Sequence, residues 1–211
     1  MIGVYGGTFD PIHYGHLRPA LEILEAFALS HIRFIPCGQP PHRDPPHASA
    51  AQRLAMVQRG IAGVAGFVCD EREVRRPGPS YMIDTLRSLR QELPGEDLCL
   101  LLGMDAFAGL PGWHDWRGIL QLCKVLVMQR PQFEAAQAIC NTELKHYVAD
   151  NAVTQPQAFV ESGPGRLMFY GVTQLNISST QIRETIRQRR SARFLLPEQV
   201  IELIERDSIY H

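Results

Sequence analysis

Two histidines three residues apart follow a glycine pair in Gly6-Gly7-Thr8-Phe9-Asp10-Pro11-Ile12-His13-Tyr14-Gly15-His16, directly after a short apolar run at 2–5. The glycines permit a tight turn and close approach of the backbone to a ligand. Apolar residues then recur at Leu17, Leu21, Leu24 and Ala28, with Ile23 and Phe27 widening the stripe, which is helical periodicity. A helix start offers free N–H groups to an anion, and histidines at this spacing on its first turn share a face. His13 and His16 can donate hydrogen bonds to phosphate and, when protonated, offset developing charge. The arrangement suits a polyphosphate. The competing reading is a tight turn whose histidines only cap or pack. A zinc pair is weaker still, because no convincing third and fourth ligands follow: His42 and His47 sit in a proline-rich loop.

A second constellation lies far along the chain. Ile177-Ser178-Ser179-Thr180-Gln181-Ile182-Arg183 opens another helix, with hydroxyls and free N–H groups able to hold a phosphate and Arg183 one turn further in. Plain capping competes, since Ser178 with Gln181 matches an S-x-x-Q box. The basic residues that follow (Arg187, Arg189, Arg190 and Arg193) read as a solvated face. Between the two constellations, Tyr81 and Thr85 stand one turn apart on a helix, where an aromatic ring and a hydroxyl can meet a ligand or pack locally. Leu110-Pro111-Gly112-Trp113-His114-Asp115-Trp116 carries two tryptophans, which can stack on a flat ring or fill a core edge.

The elements that position these groups alternate. Strands are expected at 2–5, 32–36, 67–69, 98–102 and 125–128, with a weaker one at 167–170. Helices are expected at 15–29, 50–61, 81–93, 116–122, 133–148, 179–189 and 197–204. Such alternation predicts an α/β fold, a Rossmann-like parallel sheet with helices on both faces and a small helical portion at 178–211. Open parallel sheets bind ligands beyond the carboxyl ends of their strands, so the segments after the strands should carry the site. They hold Pro36-Cys37-Gly38-Gln39-Pro40-Pro41-His42-Arg43, Gly103-Met104-Asp105 and Gln129-Arg130-Pro131. A dehydrogenase fits less well, because the first turn is not G-x-G-x-x-G and no acidic residue closes the second strand.

At 211 residues the chain suits one domain, read as 1–211, although two small ones would also fit. Its 45% hydrophobic and 20% charged residues allow a full core and argue against disorder. A net charge of −1 gives no general attraction to nucleic acid or anionic membrane, so phosphate binding must come from a local cluster. Five scattered cysteines without a C-x-x-C pair predict reduced thiols in a cytoplasmic protein. No signal peptide is expected, and no apolar run is long enough to span a bilayer.

Together, the segment from Gly7 to His16 and the segment from Ile177 to Arg183 resemble the motif pair of the nucleotidyltransferase superfamily, in which the two meet over ATP. Pro40-Pro41-His42-Arg43, Pro79-Ser80-Tyr81 with Thr85, Gly103-Met104-Asp105 and Leu110-Pro111-Gly112-Trp113 are similar to the bacterial nicotinate-nucleotide adenylyltransferases. The resemblance covers essentially the whole chain. It departs at Arg43, where the family often has lysine, and at His114, where an aromatic often follows the tryptophan. It implies transfer of the adenylyl group of ATP to nicotinate mononucleotide, with Mg²⁺ carried by ATP and no protein nucleophile. His13, His16 and Arg183 are then the catalytic residues. Gly7, Thr8, Phe9, Gly103, Asp105, Ile177, Ser178, Ser179 and Thr180 join them around ATP. Thr8, Arg43, Tyr81, Thr85, Asp105 and Trp113 would serve the second substrate, with backbone N–H groups near Thr85 and Trp113 accepting the nicotinate carboxylate. A sister transferase using phosphopantetheine or nicotinamide mononucleotide is one rival, and a non-catalytic nucleotide-binding regulator is another.

Overall fold

Leu98, Leu100 and Leu102 pack into one core, while the intervening Cys99 and Leu101 pack into another. A strand buried on both faces belongs inside a parallel sheet covered by helices. The structure, a computed structural model, describes residues 1–41, 45–129 and 139–211. Every expected apolar run forms a strand: β1 (Ile2–Gly7), β2 (His31–Pro36), β3 (Phe67–Cys69), β4 (Leu98–Gly103), β5 (Lys124–Gln129) and β6 (Leu167–Gly171). All neighbouring pairs are parallel, in the order β3-β2-β1-β4-β5-β6. The order reverses between β1 and β4. A crevice therefore opens beyond Gly7 and Gly103, the place where doubly wound sheets take nucleotides.

One face of the sheet is covered by α1 (Tyr14–Ala26), α2 (Ala50–Gly60), α8 (Pro156–Glu161), α9 (Ser179–Arg187) and α10 (Glu198–Arg206). The other is covered by α4 (Met82–Glu92), α5 (Met104–Ala108), α6 (Trp116–Leu122) and α7 (Thr142–Asn151). A short α3 (Arg72–Arg75) precedes α4. Each long helix buries the stripe that its sequence shows: Leu17, Ala20 and Ile23 on α1, Ile83, Leu86 and Leu89 on α4. On α9 the buried residues are Ile182 and Ile186, one turn apart. Burying each contributes roughly 1.5–3 kcal/mol, enough to hold this short helix so that its polar first turn overhangs the end of β1.

Four elements differ from expectation. The helix expected at 133–148 lies partly outside the described residues, and its described portion begins only at Thr142, where the Asn141 side chain accepts the Leu144 N–H at 2.8 Å. The one- and two-turn helices α3, α5 and α8 were not expected, because so few residues show no periodicity. Among the described residues no helix is long and apolar enough to cross a membrane.

Candidate active site

A cavity of about 1470 Å³ opens over the β1–β4 crevice. That exceeds the ~300–1,000 Å³ of a site for one small ligand and leaves room for two nucleotides in line. Gly7, Thr8, Phe9 and His16 line it from the first motif, and Ser179, Thr180 and Arg183 from the second. Gly103 and Asp105 line it from the end of β4, and Tyr81 and Trp113 from the far wall. A smaller hollow of about 440 Å³ lies elsewhere, among Arg72, Arg75, Arg76 and Arg87. Three of these guanidiniums are tied to carboxylates and Arg76 to Tyr81 and Thr85, so the hollow offers no free anion receptor.

The two motifs meet through backbone. The Ser179 hydroxyl donates to the Pro11 carbonyl at 3.0 Å, and Arg183 Nη1 donates to the Asp10 carbonyl at 2.7 Å. Arg183 Nη2 donates to Thr180 Oγ1 at 3.2 Å, while its Nε is buried without a partner among the described residues. At the junction stands Gly15: a Cβ there would lie 2.9 Å from His13 Nδ1 and 3.1 Å from the Ile177 carbonyl oxygen. Only glycine lets the segments come so close. Ser178 caps α9 by accepting the Gln181 N–H at 3.1 Å. The capping reading therefore holds for Ser178, while Ser179 and Thr180 turn toward the first motif. Neither Ile177 nor Ser178 lines the cavity.

His13 and His16 share a face as their spacing predicts, with ring centroids 3.8 Å apart and planes 30° from parallel. Only His16 reaches the cavity wall. His13 is buried behind it, and its Nδ1 has no partner among the described residues. The His13 backbone N–H points at His16 Nδ1, 3.4 Å away. An acceptor at Nδ1 places the proton on Nε2, so His16 presents a donor to the cavity. The Phe9 ring meets the His16 ring edge-on at 5.2 Å and is itself almost fully buried. Phe9 thus supports His16 from below.

Burial pushes the His13 imidazole down to about 4. Burial, with the charge of His13 beside it, holds His16 well below the usual histidine range. Both rings are therefore neutral near pH 7, which leaves hydrogen-bond donation as the role open to them. In the unfolded chain His13 titrates near 6.5. Between that value and about 4 the unfolded state binds more protons, so stability falls as pH falls. From pH 7 to pH 5 the loss from His13 is about 2 kcal/mol, or a drop of roughly 4–8 °C in Tm. Thermal melts of wild type and His13→Asn should show the variant losing less over that interval. Equal slopes would show that His13 does not carry this acid sensitivity.

The far wall sorts the aromatic residues. Trp113 lines the cavity, whereas Trp116 is buried in the core on α6 with Arg117 over its ring at 5.1 Å. His114 packs against Tyr81 with centroids 4.5 Å apart, so a ring contact persists where the family often has another aromatic. Thr85 corrects an expectation. It is fully buried, and its hydroxyl donates to Glu73 Oε1 at 2.5 Å, so Glu73 faces the cavity in its place. Arg43 lies outside the described residues, as does His42.

Three further residues carried no expectation from sequence. Arg53, almost fully buried on α2, donates to the carbonyls of Ala48 at 3.2 Å, Thr8 at 2.8 Å and Gly38 at 3.1 Å. It joins the loops after β1 and β2 that form the cavity floor. Its signal was visible: Arg53 precedes Met56 and Val57 by one turn on the buried stripe. Asp10 sat inside the first motif without an assigned role. Tyr210, 200 residues further on, donates its hydroxyl to Asp10 Oδ1 at 2.7 Å, a contact that no local pattern announces.

The chain is similar to known proteins over nearly its whole length. Residues 4–185 match the family model described as cytidylyltransferase-like. A protein of Methylococcus capsulatus named "Probable nicotinate-nucleotide adenylyltransferase" is 50% identical over 211 residues, 100% of this chain and 99% of its own length. A Pseudomonas aeruginosa protein of the same name is 47% identical over 210 residues, 99% of this chain and 96% of its own. Among solved structures, the Plasmodium falciparum nicotinic acid mononucleotide adenylyltransferase complexed with NaAD superposes with a TM-score of 0.72 at 15% identity. That match covers 99% of this chain and 96% of the other, and it shows the shared fold.

Proposed function

The chain belongs to the cytidylyltransferase-like family and, within it, to the nicotinate-nucleotide adenylyltransferases, and from that membership we propose how its site works. The enzyme transfers the adenylyl group of ATP to nicotinate mononucleotide, giving nicotinate adenine dinucleotide and pyrophosphate in NAD biosynthesis. A phosphate oxygen of the mononucleotide attacks the α-phosphorus of ATP. The bond from that phosphorus to the bridging oxygen breaks, and pyrophosphate leaves with the electron pair. No enzyme group forms a bond to the adenylyl unit, so catalysis consists of alignment and charge stabilisation.

The observation that carries this reading is the junction of the two motifs over the crevice, Ser179 on Pro11 and Arg183 on Asp10. It gathers the first turns of α1 and α9, two anion-binding helix starts, with Arg183 between them. ATP lies with its phosphates against His16, Ser179, Thr180 and Arg183, and with its nucleoside along Gly7, Thr8, Gly103 and Asp105. The orphaned Nε of Arg183 is costly when unpaired, and a phosphate supplies what it lacks. Nicotinate mononucleotide occupies the wall of Tyr81 and Trp113.

Mg²⁺ enters on ATP and keeps most of its water ligands. The donor set fits that arrangement. Asp10 is occupied by the His47 and Ala48 N–H groups and Tyr210, and Glu73 by Thr85, which leaves the exposed Asp105 to meet a metal-bound water.

Pyrophosphate is expected only when ATP, Mg²⁺ and nicotinate mononucleotide are all present, in a release assay run against a panel of phosphate acceptors. A covalent adenylyl-enzyme that turns over competently would rule out direct transfer.

A further inference from the structure

The Asp10 carboxylate is buried and surrounded by donors. Oδ1 accepts the Ala48 N–H at 3.1 Å and the Tyr210 hydroxyl at 2.7 Å, and Oδ2 accepts the His47 N–H at 2.8 Å. The His47 imidazole Nδ1 is 3.6 Å from Oδ2, and Arg183 Nη1 is 3.8 Å from it. Both separations exceed hydrogen-bonding distance. Arg183 thus stands beside a carboxylate on which it does not close, although arginine and carboxylate commonly form a strong forked pair when they meet. Its Nη1 donates instead to the Asp10 main-chain carbonyl. Two donors on the carboxylate are backbone N–H groups of a single loop. The third is the side chain of Tyr210, buried in the same core as Met56 and Ile182.

We propose that Tyr210 is a positioning residue whose hydroxyl holds the Asp10 carboxylate off Arg183, leaving the guanidinium free for the polyphosphate of ATP. The proposal rests on the phosphate role given to Arg183 above. Without the hydroxyl, a buried carboxylate is one donor short, which is a costly state. The Arg183 guanidinium already stands 3.8 Å from the other oxygen of that carboxylate, and closing onto it compensates for the lost donor. Once turned onto Asp10, its fork is occupied and its charge is neutralised locally. Polyphosphate is then bound more weakly in the ground state and the transition state alike, which raises KM for ATP and leaves kcat near its original value.

Tyr210→Phe tests this, because phenylalanine keeps the buried ring and removes only the hydroxyl. Tripolyphosphate affinity is measured by calorimetry in wild type, Tyr210→Phe, Arg183→Ala and the double variant, with ATP and nicotinate mononucleotide kinetics alongside. In Tyr210→Phe the affinity should weaken and KM for ATP should rise, each by about five- to tenfold, the scale of one hydrogen bond. KM for nicotinate mononucleotide should hold within about twofold. In the Arg183→Ala background the same substitution should change tripolyphosphate affinity less than about twofold, because the effect runs through Arg183. An equal loss in both backgrounds would mark the hydroxyl as merely structural and overturn the proposal, as would unchanged affinity in Tyr210→Phe. Wild-type affinity in Arg183→Ala would overturn the phosphate reading, and the proposal with it. Partial unfolding would reduce the fraction of active protein and not the dissociation constant, so the affinity readout survives a loss of stability.

Discussion

His16→Ala is expected to lower kcat by about two orders of magnitude or more, while KM for ATP changes by a much smaller factor. The geometry gives the reason. His16 lies in the cavity wall with Nδ1 facing the His13 N–H, so its Nε2 proton points outward as a donor. The stacked His13 ring and the Phe9 edge fix the imidazole plane. A donor held in this way needs no reorganisation when negative charge shifts toward the departing pyrophosphate. It is also neutral near pH 7, so it adds little long-range attraction to ATP in the ground state. Its contribution is concentrated where charge develops. Arg183→Ala should behave differently and raise KM for ATP far more than it lowers kcat, since a permanent cation meets polyphosphate charge in the ground state and the transition state alike. Steady-state kinetics on folded His16→Ala separates the two patterns, and an unchanged kcat would return His16 to a packing role.

The strands and the phosphate motifs were legible for a physical reason. Strands buried on both faces need unbroken apolar runs, and β4 and β5 have them. The motif pair was legible because glycine, histidine and hydroxyl residues are costly to keep at helix starts unless backbone or ligand uses them, and Gly15 shows the backbone's use. What could not be read is how those groups are shared among distant segments. Thr85 looked like a ligand contact from its helical spacing to Tyr81, yet its hydroxyl is spent on Glu73. Trp113 and Trp116 are equivalent in a string of letters, and only packing sends one to the cavity and the other to the core. Asp10 joins Ala48, Arg183 and Tyr210 across nearly the whole chain. No local periodicity encodes such a junction.

Nicotinate mononucleotide should be preferred over nicotinamide mononucleotide by a factor of about a hundred or more in kcat/KM, on the strength of backbone donors near Thr85. The Thr85 N–H is spent on the Tyr81 carbonyl at 3.3 Å, and the Trp113 N–H on the Leu110 carbonyl at 2.9 Å. The donors near them must therefore come from other residues. Helix α4 begins at the cavity wall with Tyr81 as an extended N-cap whose side chain makes no capping bond. The first N–H groups of such a helix have no partner within it, which here means those of Met82 and Ile83. They present donors and the positive end of the helix dipole to an anion. Arg76, bonded to the Tyr81 carbonyl at 3.4 Å, places a cation behind the same turn. A carboxylate satisfies these donors with either oxygen. An amide turns its NH₂ on some of them, and each unmade bond costs roughly 1–3 kcal/mol. Two such mismatches reach the stated factor at about 1.4 kcal/mol each, inside that range. Competition kinetics with the two mononucleotides at saturating ATP measures it directly. Comparable kcat/KM values would refute a donor-lined pocket and would leave Glu73, the carboxylate in that wall, as an acceptor for the amide.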